Sequence, residues 1–195
     1  MSSVSVCVFC GSRDGRDPAY LRAAAALGEA IARRGWTLVF GGGRVGLMGA
    51  AADAALAAGG TVTGIIPEAL WEREVGHAGL SELLIVRTMH ERKQAMADRA
   101  DAFIALPGGF GTFEELFEVV TWAQLGFHRK PCIVLDVAGF WQPMLAMADW
   151  AAGEGFISGA HRGLLQRAET IDEALDLAVR GEAGAGAPPL PPDRR

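Results

Sequence analysis

Short apolar runs rich in β-branched residues alternate with helical stretches along most of the chain. Runs at residues 4–9, 37–40, 61–66, 83–86, 102–106 and 132–135 predict six strands. Between and after them, apolar residues recur at helical spacing over 18–34, 47–58, 89–101, 112–125, 141–153 and 171–180. Strand and helix in alternation imply an α/β protein: a Rossmann-like, doubly wound, mostly parallel sheet with helices on both faces, whose binding loops lie at the carboxyl ends of the strands. The alanine-rich stretches Ala23 to Ala26 and Ala50 to Ala58 read as closely packed helices. Residues 181–195, rich in Gly, Ala and Pro, have no periodic apolar face and are expected to be a disordered tail after one nucleotide-binding domain spanning residues 1–180.

Composition narrows the range of partners. With 195 residues, half of them hydrophobic, the chain can bury the core of one domain. Eighteen Lys and Arg against 23 Asp and Glu leave a net charge of −5, which argues against nucleic acid and against anionic membrane surfaces. No apolar run reaches the roughly 20 residues that cross a bilayer, and the first ten residues lack a basic region and cleavage site, so a cytoplasmic location is expected. Three cysteines fit a reduced compartment. Cys7 and Cys10 form C-x-x-C, but an odd separation along a strand sends them to opposite faces, as buried small hydrophobes.

Three strands run directly into glycine: at Cys10-Gly11-Ser12, at Gly41-Gly42-Gly43, and at Pro107-Gly108-Gly109-Phe110-Gly111-Thr112. Each loop leads toward a helix, where open N–H groups and the positive dipole end attract an anion such as phosphate. Residues 41–46 match G-x-G-x-x-G, but they follow the second strand, and the next strand supplies no acidic residue for a ribose diol, which disfavours NAD. Neither glycine run ends in Lys-Ser/Thr, which disfavours a Walker-type ATPase. Ser12, Gly42, Gly43 and Gly108 are therefore candidate phosphate contacts.

Two helices carry the charges. Arg92 and Arg99 stand at i and i+7 on one face with Met96 between them, and Lys93 lies beside Arg92. On the helix after the third glycine loop, Glu114, Glu118 and Thr121 share one stripe, Glu115 and Trp122 the next, and Phe113, Leu116, Phe117 and Val120 are assigned to the core. The acids are thus expected on an accessible face. None of the four histidines forms a close ligand pair with a second His or Cys, so no metal is expected.

The run Pro107 to Glu115 resembles the P-G-G-x-G-T-x-x-E signature of the Lonely-guy (LOG) family. Met89-His90-Glu91-Arg92-Lys93 resembles its M-H-x-R-K segment, and Phe40 to Gly43 with Gly46-Leu47-Met48-Gly49 resembles its second glycine loop. The likeness implies a Rossmann-like homodimer that hydrolyses the N-glycosidic bond of cytokinin riboside 5′-monophosphates, or of AMP, without a cofactor. By motif position it implies Arg92 and Glu115 as catalytic residues. Substrate contacts fall on Lys93, on Gly109, Phe110, Gly111, Thr112, Phe113 and Glu114, on Thr121, and on Glu74. Phe110 stands where the family often has tyrosine.

In that reading Glu115 stabilises oxocarbenium-like charge or activates water, Arg92 offsets charge on the departing base, and the backbone from Gly109 to Thr112 holds the 5′-phosphate. Trp71 and Trp122 belong on the base, in a subunit contact or in the ordinary core, and the helix surface around Val119, Trp122 and Leu125 is the expected dimer face. Two other readings stand beside this one: a nucleotide-binding module without turnover, and a pyridoxal-phosphate decarboxylase, for which only Lys93 and Lys130 could form the Schiff base.

Overall fold

Residues 4–71 and 76–180 are described in the structure, a computed structural model. Glu74 and the tail at 181–195 lie outside the described residues. The strands are β1 (Ser5–Phe9), β2 (Thr37–Phe40), β3 (Thr61–Pro67), β4 (Glu82–Val86), β5 (Ala102–Ala105), β6 (Cys132–Leu135) and β7 (Leu165–Ala168). They form one sheet in the order β4-β3-β2-β1-β5-β6-β7, and every pairing is parallel. The helices are α1 (Pro18–Arg33), α2 (Gly46–Ala57), α3 (Glu68–Trp71), α4 (Met89–Arg99), α5 (Phe110–Gln124), α6 (Gln142–Gly153), α7 (Gly159–Arg162) and α8 (Ile171–Arg180). This is the Rossmann-like doubly wound α/β architecture that the alternation implies.

Strand periodicity divides the core in two. Val6 and Val8 face one side, with Leu38, Phe40 and Ile104 and with helices α1, α2 and α8. Cys7 and Phe9 face the other, with Phe103, Met96 of α4 and Leu116 of α5. Cys7 and Cys10 therefore sit in separate clusters, both buried and unbridged. On the first side α1 and α2 meet backbone to backbone, for a Cβ at Gly28 would lie 2.0 Å from the Ala51 carbonyl oxygen. The alanine-rich sequence permits that approach.

The chain steps outward from β1 to β4, then returns to the other side of β1 with β5. The loops after β1 and β5 consequently diverge, leaving a crevice at the carboxyl edge where parallel sheets bind ligands. Local signals fix the helices around it. Asp17 caps α1 by accepting from the Ala19 N–H at 2.8 Å, with Pro18 in the first turn. Thr88 caps α4 by accepting from Glu91, and Glu91 accepts in turn from the Arg87 N–H. That reciprocal cap sets the first turn of α4, which carries Arg92.

The sequence reading misses β7. Its buried residues, Leu165 and Ala168, are three apart, and between them stand Gln166 and Arg167, so no period-two pattern shows. Arg167 instead bonds Asp136 at the carboxyl end of β6, with Nε at 2.9 Å and Nη2 at 2.8 Å. Asp136, whose side chain is 0% exposed, also accepts from the Trp141 N–H and the Gln142 amide. Asp136→Ala would strand the buried Trp141 N–H and leave Arg167 with Glu169 as its remaining carboxylate partner, so an unfolding titration is expected to show a loss of about 2 kcal/mol.

Candidate active site

Two features meet at the strand ends. The first is a cleft of about 390 Å³ between the loops after β1 and β5, lined by Gly11, Ser12, Arg13, Gly108 and Gly109, with Tyr20 and Phe140 as aromatic walls. The loops are tied together, since the Gly11 N–H donates to the Pro107 carbonyl at 3.0 Å and the Gly11 carbonyl accepts from Leu47 of α2. Helix α5 begins at this cleft with Gly109 in the capping position, and no side chain caps its first turn. Its opening N–H groups and positive dipole end thus form an anion-binding surface. Thr112, 4% exposed, folds over Gly108, where a Cβ would lie 2.1 Å from the Thr112 hydroxyl oxygen.

The second feature is a buried ion pair between α4 and α5. Arg92 Nη1 donates to Glu115 Oε1 at 2.6 Å, and each side chain is only 10% exposed. Arg92 Nε donates to the Ile65 carbonyl at the end of β3, which fixes the plane of the guanidinium. Gly41 makes room for it, because a Cβ there would lie 1.8 Å from Arg92 Nη2. Burial raises the Glu115 carboxyl above its ordinary range; Arg92 and Lys93 oppose that rise and Glu114 adds to it. Such a carboxyl can exchange protons nearer neutrality than a surface glutamate.

Lys93 lies next to this pair. Its side chain is 9% exposed, and the ammonium donates to Glu114 and, at 2.9 Å, to Glu118. Desolvation works to lower the proton affinity of Lys93, but the two carboxylates outweigh it and raise the value.

The structure parts from the sequence reading at several residues. Glu115 is buried rather than on an accessible face, in a stripe with Thr112, Leu116, Val119 and Ala123. Phe117, assigned to the core, is 38% exposed, and Val119, assigned to a subunit contact, is core. Arg99 does not join Arg92; it stands at the far end of α4, 4.0 Å from Glu82 at the start of β4. Gly42 and Gly43 do not line the cleft. The Gly42 carbonyl accepts from His77, and Gly43 pairs with Gly76. The Thr121 hydroxyl donates to the Phe117 carbonyl at 2.6 Å. Phe113 packs against Phe140 and Trp141, whereas Phe110 is 91% exposed at the start of α5 and Gly111 is also exposed. Trp122 lines a separate cavity of about 580 Å³ with Gln94, Phe127 and His128. Trp71 packs over Gly76. Gly41, Tyr20 and Phe140 also contribute to the site. Only Gly41 had a sequence signal, as the first residue of its glycine loop.

Fold and site together define a Rossmann-like protein with an anion-binding glycine loop next to a buried Arg–Glu pair. A family model described as "Possible lysine decarboxylase" matches residues 48–178. The cytokinin riboside 5′-monophosphate phosphoribohydrolase of Rhodococcoides fascians is 51% identical over 177 residues, spanning 90% of this chain and 89% of that protein. A protein of the same name from Arabidopsis thaliana is 49% identical over 170 residues, 87% of this chain and 78% of that one. The chain belongs to this LOG family. Among solved structures, the molybdenum cofactor binding protein of Rippkaea orientalis shares the fold, with a TM-score of 0.69 at 22% identity over 91% of this chain and 96% of that one.

Gly41→Ala tests how the pair is held. The added methyl would push the guanidinium from Glu115, so the variant is expected to fold while its Glu115 carboxyl, followed by carbon NMR, titrates at higher pH than in the parent.

Proposed function

We propose that this chain hydrolyses the N-glycosidic bond of purine ribonucleoside 5′-monophosphates, cytokinin riboside monophosphates among them, to the free base and ribose 5-phosphate. The observation that carries the reading is the Arg92–Glu115 pair, out of water and beside an uncapped glycine-loop helix. The names of the relatives at about half identity support it.

Breaking the bond between C1′ and the base nitrogen sends the bonding electrons to the base and leaves oxocarbenium-like charge on the ribose. Glu115 is the carboxylate that stabilises this charge and directs water to C1′. The water oxygen bonds to C1′ and its proton passes through the carboxyl group. Arg92 offsets negative charge on the leaving base, which departs after taking up a proton. Glycine-loop N–H groups from Gly109 to Thr112 anchor the 5′-phosphate, converting its binding energy into positioning of C1′. The decarboxylase reading finds little support: Lys93 is held by Glu114 and Glu118, and the Lys130 ammonium donates to the Ala97 carbonyl at 2.7 Å.

The test is chromatographic detection of base released from AMP and from isopentenyladenosine monophosphate. Glu115→Gln and Arg92→Ala are each expected to lower kcat by about 10²-fold or more. Activity must need ionised Glu115, whose proton affinity is raised, so kcat/KM should fall with decreasing pH through a value above the ordinary 4.5 of a glutamate. An acid limb at or below that value would contradict this assignment.

The same reading makes the protein a cytoplasmic homodimer. A second copy is the proposed cover for the apolar groove of about 460 Å³ between α5 and α6, where Phe117 and Met147 are 38% and 51% exposed. Light scattering should report a dimer for the parent and a monomer for Met147→Glu.

A further inference from the structure

Arg92 rests on a small platform that another part of the chain ties down. Its guanidinium lies against Gly41, where a Cβ would stand 1.8 Å from Nη2, and against the Ile65 carbonyl, which accepts from Nε. Gly42, with φ +74°, turns the second glycine loop back onto the same strand, for a Cβ there would lie 3.1 Å from Ile66 Cβ and 3.3 Å from the Ile65 nitrogen. Residues 76–80 fasten this loop. His77 donates its backbone N–H to the Gly42 carbonyl at 2.8 Å, Gly76 pairs with Gly43, and Leu80 packs against Gly64 of β3.

The imidazole of His77 anchors that segment, and its side chain is 12% exposed. Nδ1 accepts from the Gly79 N–H at 3.1 Å, so the ring proton sits on Nε2, which donates to Asp53 Oδ1 of α2 at 2.9 Å. One ring thus closes the turn at 77–79 and ties it to a neighbouring helix.

We propose that His77, held by Asp53, is a positioning residue that fastens residues 76–80 to the second glycine loop and so keeps Arg92 aligned on Glu115. The path is a run of direct contacts: Asp53 to the imidazole, the His77 N–H to Gly42, and Gly41 to the guanidinium. Removing the ring leaves the Gly79 N–H without its acceptor and cuts the segment from α2, and the Gly42 carbonyl then loses a fixed donor. Any shift of Gly41 is felt by Arg92, because the guanidinium has no space to spare there. The glycine loop at the start of α5 is built from other residues, so the effect falls on kcat rather than on binding of the phosphate.

The inference rests on the hydrolase reading, and the test separates the two. Base release from AMP and thermal unfolding are measured for the parent, His77→Ala, Asp53→Ala, the double variant and His77→Gln, and the Glu115 carboxyl of each is titrated by carbon NMR. His77→Ala is expected to lower kcat about tenfold and Asp53→Ala about threefold, each with KM for AMP within about threefold of the parent. The double variant should lose no more than His77→Ala, since both residues act through one contact. Glu115 should titrate at higher pH in all three, as Arg92 withdraws. His77→Gln, which carries an amide donor near the place of Nε2, should recover most of kcat. A His77→Ala protein that melts earlier but keeps the parental kcat and the parental Glu115 titration would overturn the proposal. So would a KM for AMP raised about tenfold or more with kcat unchanged, the result expected of a substrate contact. Should His77→Ala fold poorly, Asp53→Ala, which alters an exposed side chain, carries the same expectation. If the parent releases no base, the hydrolase reading fails, while the Glu115 titration still decides whether His77 holds Arg92.

Discussion

A guanidinium and a carboxylate held 2.6 Å apart and nearly out of water are costly to place, and much of the surrounding structure accommodates them. Desolvating two charges costs several kcal/mol per ion, and their mutual attraction seldom leaves a net gain over well-packed hydrophobic side chains. Accordingly, the pair comes with dedicated supports. The end of β3 supplies a carbonyl for Arg92 Nε, Gly41 supplies the space, and the reciprocal cap of Thr88 and Glu91 sets the turn from which Arg92 projects. None of these supports is needed to build a parallel sheet.

The reversal of strand order beside β1 separates two tasks. On one side the loops after β1 and β5 open a cleft floored by glycine and walled by Tyr20 and Phe140, next to the uncapped start of α5. On the other, the same helix delivers Glu115 one turn further along. In the proposed reaction a single helix presents its N–H groups to an anion and its carboxylate to the sugar that anion carries. The spacing between phosphate anchor and reacting carbon is then set by one rigid element, which suits a reaction that depends on placement.

The sheet was largely legible because its central strands are continuous apolar runs, buried on both faces, ending in glycine. β7 was not, since its edge position is held by Arg167 on Asp136, a contact between residues 31 positions apart. Residue identities at the site were legible from the glycine loop and the Arg-Lys segment, but their burial was not. Treating carboxylates as surface groups turned α5 the wrong way, because Glu115 can be buried only when Arg92 arrives from another helix. Arg99 shows the converse error: it shares a helical face with Arg92 but stands seven residues on, about 10 Å along the axis, too far for one site.

If the pair is retained for chemistry rather than for folding, replacing both partners by apolar side chains of similar size separates the two. The most direct measurement is the stability and base-releasing activity of the Arg92→Met/Glu115→Leu double variant beside the parent. The account predicts a protein at least as stable as the parent that releases no base from AMP. A double variant that is strongly destabilised, or that still releases base, would contradict it.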